Sequence, residues 1–214
     1  MIVIIDYGMG NPTSILNMLR KAGGDAIITA ELDAIKSASA IIMPGVGAFD
    51  NGMIKLNSLG LLSVLTQKVV VEKTPFIGIC LGMQLLFERS EEGDLAGLGW
   101  LKGHVKYFDF SALDDEKRKQ LKIPHMGWNI AKPVEFETLY TSLEKEARFY
   151  FVHSYYVKCR NSEDILATTF YGHEFTCSVR KNNIWGVQFH PEKSHRFGLK
   201  FFRNFLKEVN SAPS

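Results

Sequence analysis

Close to its start the chain carries Ile2–Ile5, four consecutive β-branched residues, followed by the glycine turn Gly8-Met9-Gly10 and then Asn11-Pro12. A strand with no polar alternation must be covered on both faces, which points to the inside of a parallel sheet. Asn is a preferred N-cap and Pro is preorganised for the first helical position, so a helix opens right after the turn. It carries Ile15, Leu16, Leu19 and Ala22 inward and stops at Gly23-Gly24. The pattern then repeats. Ala26–Thr29 and Ala40–Met43 read as short strands and Leu59–Glu72 as a helix; Phe76–Ile79 is a fourth strand running straight into a helix over Leu81–Glu88. Strands alternating with helices predict an α/β fold built on a doubly wound, mostly parallel sheet.

The second half has another rhythm. Val105–Phe108, Phe149–Val157, Ile165–Phe170, Glu174–Arg180 and Ile184–Phe189 read as strands separated by turns, with a more antiparallel spacing. Phe197–Val209 closes the chain as a helix with Phe201, Phe202, Phe205 and Leu206 on one face. An added antiparallel portion in the C-terminal half is expected. With no internal repeat and no Gly/Ser-rich linker, residues 1–214 are read as a single domain. The charged stretch Asp109–Lys122 reads as a solvated helix or loop, with a partner contact as the alternative.

Composition narrows the function classes. Lys and Arg number 25 against 23 Asp and Glu, a net charge of +2 that excludes a globally basic nucleic-acid binder. The N-terminus lacks a basic region and Asp6 interrupts its apolar run, so no signal peptide is read there, and no stretch is apolar for long enough to span a membrane. The three cysteines, Cys80, Cys159 and Cys177, are too few for a disulfide framework, and a reduced, cytoplasmic setting follows. The six histidines show no metal-ligand spacing, so no metal is expected. His104 and His173 are read as surface or turn residues, and Cys159 and Cys177 as packing residues.

The most informative stretch is Gly78-Ile79-Cys80-Leu81-Gly82 at a strand-to-helix junction. A nucleophile between two glycines at such a junction makes a strained elbow that holds its side chain at the C-terminal end of the strand, where open α/β sheets place their ligands. The following helix turns its positive end toward the sulfur, and its first free N–H groups can receive an oxyanion. A buried cysteine in a glycine-lined packing site fits the same pentapeptide equally well. A base is offered by Gln188-Phe189-His190-Pro191-Glu192. In extended chain His190 and Glu192 face the same side, so the carboxylate can orient the imidazole. Elbow and pair together make a Cys–His–Glu triad the better reading. Pro44-Gly45-Val46-Gly47-Ala48-Phe49, after a buried strand, can complete an oxyanion hole with its backbone, although an ordinary glycine turn has the same composition.

These residues resemble the class I (triad) glutamine amidotransferases through Gly78-Ile-Cys-Leu-Gly-Met-Gln84 and Gln188-Phe-His-Pro-Glu192. Several further segments are similar to the glutaminase subunits of imidazole glycerol phosphate synthase. They are Asp6-Tyr-Gly-Met-Gly-Asn11, Pro44-Gly-Val-Gly-Ala-Phe49, Leu85-Leu-Phe-Glu-Arg-Ser-Glu-Glu-Gly93, Gly97-Leu-Gly-Trp100, Pro124-His-Met-Gly-Trp-Asn129, Phe151-Val-His-Ser-Tyr-Tyr156 and His190-Pro-Glu-Lys-Ser194, in family order across nearly the whole chain. The resemblance implies a flavodoxin-like sheet with the triad Cys80, His190 and Glu192. It implies an oxyanion hole from the backbone of Leu81 and of a reoriented Gly45-Val46-Gly47 segment. Gly45, Gly47, Gln84, Ser154 and Tyr155 would bind glutamine. No cofactor, nucleic acid or membrane enters this chemistry. The implied partner is a (β/α)8-barrel synthase, joined as a heterodimer through Asn11, Met126 and Trp128, which receives the ammonia and makes imidazole glycerol phosphate and aminoimidazole carboxamide ribotide in histidine biosynthesis. The long charged segment before Pro124 and His195-Arg196-Phe197 depart from the family pattern, and they raise the alternative of a paralogous glutaminase serving surface-polysaccharide amination. A stand-alone cysteine hydrolase would not need the Pro124–Asn129 segment.

Overall fold

Strand β1 (Ile2–Ile5) is buried along its length, and its side chains divide by parity. Ile2 and Ile4 pack into one apolar cluster, Val3 and Ile5 into a second on the opposite face. The computed structural model describes residues 1–211 of the chain. After β1 come α1 (Pro12–Lys21), β2 (Ala26–Thr29), α2 (Leu32–Lys36), β3 (Ala40–Met43) and α3 (Phe49–Ser58). Then follow α4 (Leu61–Thr66), which widens into a π-helical turn over Gln67–Val71, β4 (Phe76–Ile79) and α5 (Leu81–Gln84). The second half holds β5 (Gly103–Tyr107), α6 (Asp115–Gln120), β6 (His125–Ile130), β7 (Lys132–Pro133), β8 (Arg148–His153), β9 (Tyr155–Cys159), β10 (Ile165–Tyr171), β11 (His173–Lys181), β12 (Ile184–Val187) and α7 (His195–Ser211).

The main sheet runs β2-β1-β3-β4-β12-β11-β10-β7, with β9 and β5 attached beside β11. β2, β1, β3, β4 and β12 pair in parallel, and β12-β11, β11-β10 and β10-β7 are antiparallel. One face is covered by α1 and α7 with Leu19, Phe201, Phe202 and Phe205, the other by α3 and α4 with Phe49, Leu56, Leu61 and Leu65. This is the expected doubly wound α/β sheet with an antiparallel extension.

Several boundaries differ from the sequence reading, each for a tertiary reason. The final strand is not antiparallel on both sides: β12 pairs antiparallel with β11 but parallel with β4, with Val187 opposite Ile79, and so joins the two portions of the sheet. The span Phe149–Val157 is not one strand. It breaks at Ser154, so that β8 pairs with β6 and β9 pairs with β5. The helix over Leu59–Glu72 starts only after Gly60, whose φ of 68° ends α3, and α3 itself is an element the sequence reading lacks. The helix over Leu81–Glu88 ends at Gln84. Beyond Leu85 the i→i−4 ladder stops: the N–H groups of Leu86 and Phe87 reach back only three residues, to Met83 and Gln84 O at 3.2 and 3.1 Å, and that of Glu88 donates to Gly103 O at 3.3 Å instead. β6 had no strand signal, because Gly127 and Asn129 interrupt its apolar positions.

The charged segment behaves as expected of a solvated helix. Asp114 caps α6 through the N–H of Lys117, and no residue of α6 is buried. Cys177 is fully buried and Cys159 half-buried. His104 lies on β5 rather than in a turn, and is partly exposed there. His173, which follows the β10–β11 turn, packs its ring against Phe108 and Tyr156.

Candidate active site

β4 delivers Cys80 at the C-terminal end of the sheet. Its backbone is at φ 55°, ψ −110°, in a region that costs a non-glycine residue on the order of 1–3 kcal/mol. The neighbours make that geometry obligatory. A Cβ on Gly78 would strike the carbonyl of Gly82, and one on Gly82 would strike the carbonyl of Met43. Bonds from the Cys80 N–H to Val187 O (2.7 Å), and from Met83 and Gln84 N–H to Cys80 O (3.0 and 3.2 Å), lock the elbow. The dipole behind the sulfur is therefore that of one helical turn rather than two.

His190 is brought to the sulfur by the parallel pairing of β12 with β4. Its Nδ1–H donates to Glu192 Oε1 at 2.8 Å, and both side chains are almost wholly buried, 3% and 4% exposed. The pair forms on a 3-10 turn over Pro191–Lys193, not in extended chain, because the Lys193 N–H returns to the His190 carbonyl at 3.1 Å. The other ring nitrogen, Nε2, is buried on the side of Cys80 without a hydrogen-bond partner among the described residues. Burial of the ring works against its cation, but contact with the Cys80 sulfur and with the Glu192 carboxylate outweighs this and raises the His190 pKa to about 10. His190 is also held by its backbone. Its N–H donates to Tyr150 O at 2.8 Å, and its carbonyl accepts from the buried Ser194 hydroxyl at 2.6 Å.

Cys80 opens into a cleft of about 410 Å³ whose walls include Val46, Gly47, Gln84, Glu92, Ser154 and Tyr155. That volume lies in the range of small-molecule sites. Of the residues expected at substrate, Gly47, Gln84, Ser154 and Tyr155 line the cleft together with Val46 and Leu81, while Gly45 is buried behind it. A Cβ on Gly45 would come within 2.9 Å of the Tyr7 hydroxyl, Leu81 and Gly82. Gln84 donates through Nε2 to Tyr155 O and to Gln188 Oε1, both at 3.1 Å. The Leu81 N–H, a candidate oxyanion donor, is engaged by the Gly45 carbonyl at 3.3 Å.

Asn11, Met126 and Trp128 separate from this cleft. Asn11 caps α1, its Oδ1 accepting from Ser14 N–H at 3.1 Å. Met126 and Trp128 are 63% and 46% exposed on β6, which excludes a core role, and Trp128 stacks on His195 at 5.3 Å.

Three residues have no role in the sequence reading. Glu92 is the carboxylate on the cleft wall. It accepts from the Phe49 N–H at 2.8 Å, and burial, partly offset by that bond, raises its pKa. Gln188 donates to Cys80 Sγ at 3.7 Å, and Tyr7 donates its hydroxyl to Pro44 O at 2.7 Å. All three sit inside the motifs that carry the resemblance, but only the fold shows what they touch.

Comparison with known proteins shows the family and the fold. The family model for glutamine amidotransferase class-I matches residues 3–209. "Imidazole glycerol phosphate synthase subunit HisH 2" of Methanococcus maripaludis is 54% identical over 98% of this chain and 100% of its own length. A protein of the same name from Pseudomonas aeruginosa is 46% identical, also over 98% and 100%. Among solved structures, PurLQS from Thermotoga maritima superposes with a TM-score of 0.70 at 17% identity, covering 97% of this chain and 98% of the matched one, a likeness of fold.

Proposed function

The chain belongs to the class I glutamine amidotransferase family, and from that premise we propose that it is the glutaminase subunit of an imidazole glycerol phosphate synthase, hydrolysing glutamine to glutamate and ammonia for a synthase partner. The observation that carries this reading is the buried His190 Nε2, without a partner among the described residues, beside a sulfur held at a strained elbow, with Nδ1 tied to Glu192.

In this reading glutamine enters the cleft with its carboxamide at Cys80. The sulfur attacks the carboxamide carbon, and His190 Nε2–H gives its proton to the departing ammonia. A glutamyl thioester on Cys80 remains. Water, activated by the now neutral His190, hydrolyses it to glutamate and returns the sulfur. Glu192 keeps the imidazole in one orientation throughout. Glu92, a carboxylate on the cleft wall, suits the α-ammonium of the substrate, while Gly47, Gln84, Ser154 and Tyr155 hold the rest. The oxyanion falls to the N–H groups of Leu81 and Val46. Because Gly45 O now occupies the Leu81 N–H, the Gly45–Val46 peptide must turn over before the hole is complete. That supports a resting state which the loaded partner releases.

Ammonia leaving this site would be protonated in water, so the reading includes a docked synthase. A (β/α)8-barrel partner forming a heterodimer through Asn11, Met126 and Trp128, in the cytoplasm where the three free cysteines stay reduced, completes the proposal. The names of the relatives do not favour the alternative of surface-polysaccharide amination.

The test is glutamate release by the purified chain, alone and with a histidine-pathway synthase plus its phosphoribulosyl substrate. Strong stimulation that Cys80→Ala abolishes is expected. Equal turnover in Cys80→Ala would overturn the nucleophile, and absent stimulation the partner.

A further inference from the structure

At the cleft, whose wall includes His153, lies a buried pair of histidines that the mechanism above does not use. His125 on β6 and His153 on β8 are 3% and 6% exposed, and His125 Nδ1 meets His153 Nε2 at 3.1 Å. His153 Nδ1 lies 2.7 Å from the carbonyl of Tyr155, and Asn129 Nδ2 lies 3.4 Å from His125 Nε2.

The partners at the two ends fix every proton in this chain of bonds. A carbonyl oxygen only accepts, so His153 carries its proton on Nδ1 and leaves Nε2 as an acceptor. His125 must then donate from Nδ1, which makes its own Nε2 an acceptor for Asn129. The orientation of Asn129 is set separately: its Nδ2 donates to Phe170 O at 2.8 Å and its Oδ1 accepts from Ile130 N–H at 2.8 Å. All four groups therefore point one way, from Asn129 through His125 and His153 to the Tyr155 carbonyl. That carbonyl is the one that also receives Gln84 Nε2–H at 3.1 Å. The rings are held by aromatic neighbours. His125 stacks on Tyr171 at 4.0 Å and on Phe151 at 5.0 Å, and Phe108 and Phe175 pack against both imidazoles.

We propose that His125 and His153 are positioning residues of the glutaminase: a neutral, one-directional hydrogen-bond relay that holds the Ser154–Tyr155 wall of the cleft from the strand bearing Met126 and Trp128. The proposal rests on the glutaminase reading of the cleft. Neutrality is what the relay requires, since a proton on either acceptor nitrogen would set two donors against each other. The surroundings enforce it. Among the described residues no carboxylate faces either ring, and the one other titratable group acting on His153, besides His125, is His190, which also opposes its protonation. Burial pushes His125 down to about 4, and burial first and then His125 push His153 to about 3.

The first test needs no substrate. Nitrogen-15 spectra of the imidazoles in the full chain should show both histidines with protonated Nδ1 and unprotonated Nε2, unchanged from pH 8 to pH 5. A Nε2–H form, or titration near 6.5, overturns the relay. The second uses the chain with its synthase partner. His125→Phe keeps the aromatic packing and removes the donor, so KM for glutamine should rise about tenfold, the worth of one such hydrogen bond, while kcat falls far less. Alkylation of Cys80 by iodoacetamide should be unchanged. His125→Asn, which keeps a donor where Nδ1 stands, should recover most of the KM. An unchanged KM in His125→Phe, or an equal loss in His125→Asn, overturns the proposal. A wild-type complex that does not hydrolyse glutamine at all would instead overturn the glutaminase reading, leaving the imidazole spectra to judge the relay.

Discussion

Acid should destabilise this fold well before its carboxylates titrate, and the buried histidine pair sets the size of the effect. Unfolded, each histidine titrates near 6.5. Folded, burial holds His125 at about 4 and His153 at about 3. A folded pKa below the unfolded one means stability that is present above pH 6.5 and lost as pH falls toward the folded values, because the unfolded chain takes up a proton that the folded chain refuses. At about 1.36 kcal/mol per pH unit, going from pH 7 to pH 5 costs about 2 kcal/mol for each histidine. Together this is a large share of the 5–15 kcal/mol that usually holds a domain. His190 has the opposite sign. Its folded pKa is raised to about 10, so its contribution is complete below 6.5 and is lost only as pH rises toward 10. Urea unfolding of the wild type and of His125→Phe at pH 7 and pH 5 isolates the pair, since His190 is common to both. At pH 7 the variant should be weaker by about 1–3 kcal/mol, because His153 Nε2 loses its donor in the interior. By pH 5 that gap should narrow by about 2 kcal/mol, since one of the two acid-sensitive groups is gone. A gap that stays constant between the two pH values would refute the reasoning.

Gly82→Ala places a Cβ against the Met43 carbonyl, so a thermal melt should show a loss of about 1–3 kcal/mol together with a fall in glutamate release. An alanine variant of wild-type stability and activity would show that the elbow has room to spare. Glu192→Gln replaces a charge-assisted bond to His190 by a neutral one, worth about 1–2 kcal/mol, and should lower turnover roughly tenfold. The alkaline limb of its pH profile should move to lower pH, because the carboxylate that helps hold the His190 pKa up is gone. Trp128→Ala removes an exposed aromatic anchor without touching the cleft. Calorimetric titration with the synthase partner should show an affinity lower by tenfold or more, with Cys80 alkylation unchanged.

What could be read from the chain alone was whatever depends on neighbours in sequence. The β-branched run Ile2–Ile5, the short apolar run Phe76–Ile79, the Asn11-Pro12 start and the glycines around Cys80 act over a few residues, so the parallel half and the elbow were legible from their own composition. His190 and Glu192 were legible as a pair because they lie two residues apart, although the turn that joins them is 3-10 and not extended.

Everything that depends on where a distant strand lands was settled only by the tertiary structure. The last strand reads like its antiparallel neighbours, yet it inserts parallel to β4, and that pairing carries His190 to Cys80. The span Phe149–Val157 is continuous in hydrophobicity, but its halves serve different sheets, because Phe108 bonds to the Ser154 carbonyl and draws the chain aside there. Glu92, Gln188 and the His125–His153 relay follow the same rule. Their roles come from hydrogen bonds across 28 to 108 residues of sequence, or from a cleft wall assembled from separate loops, and local periodicity holds no record of such contacts.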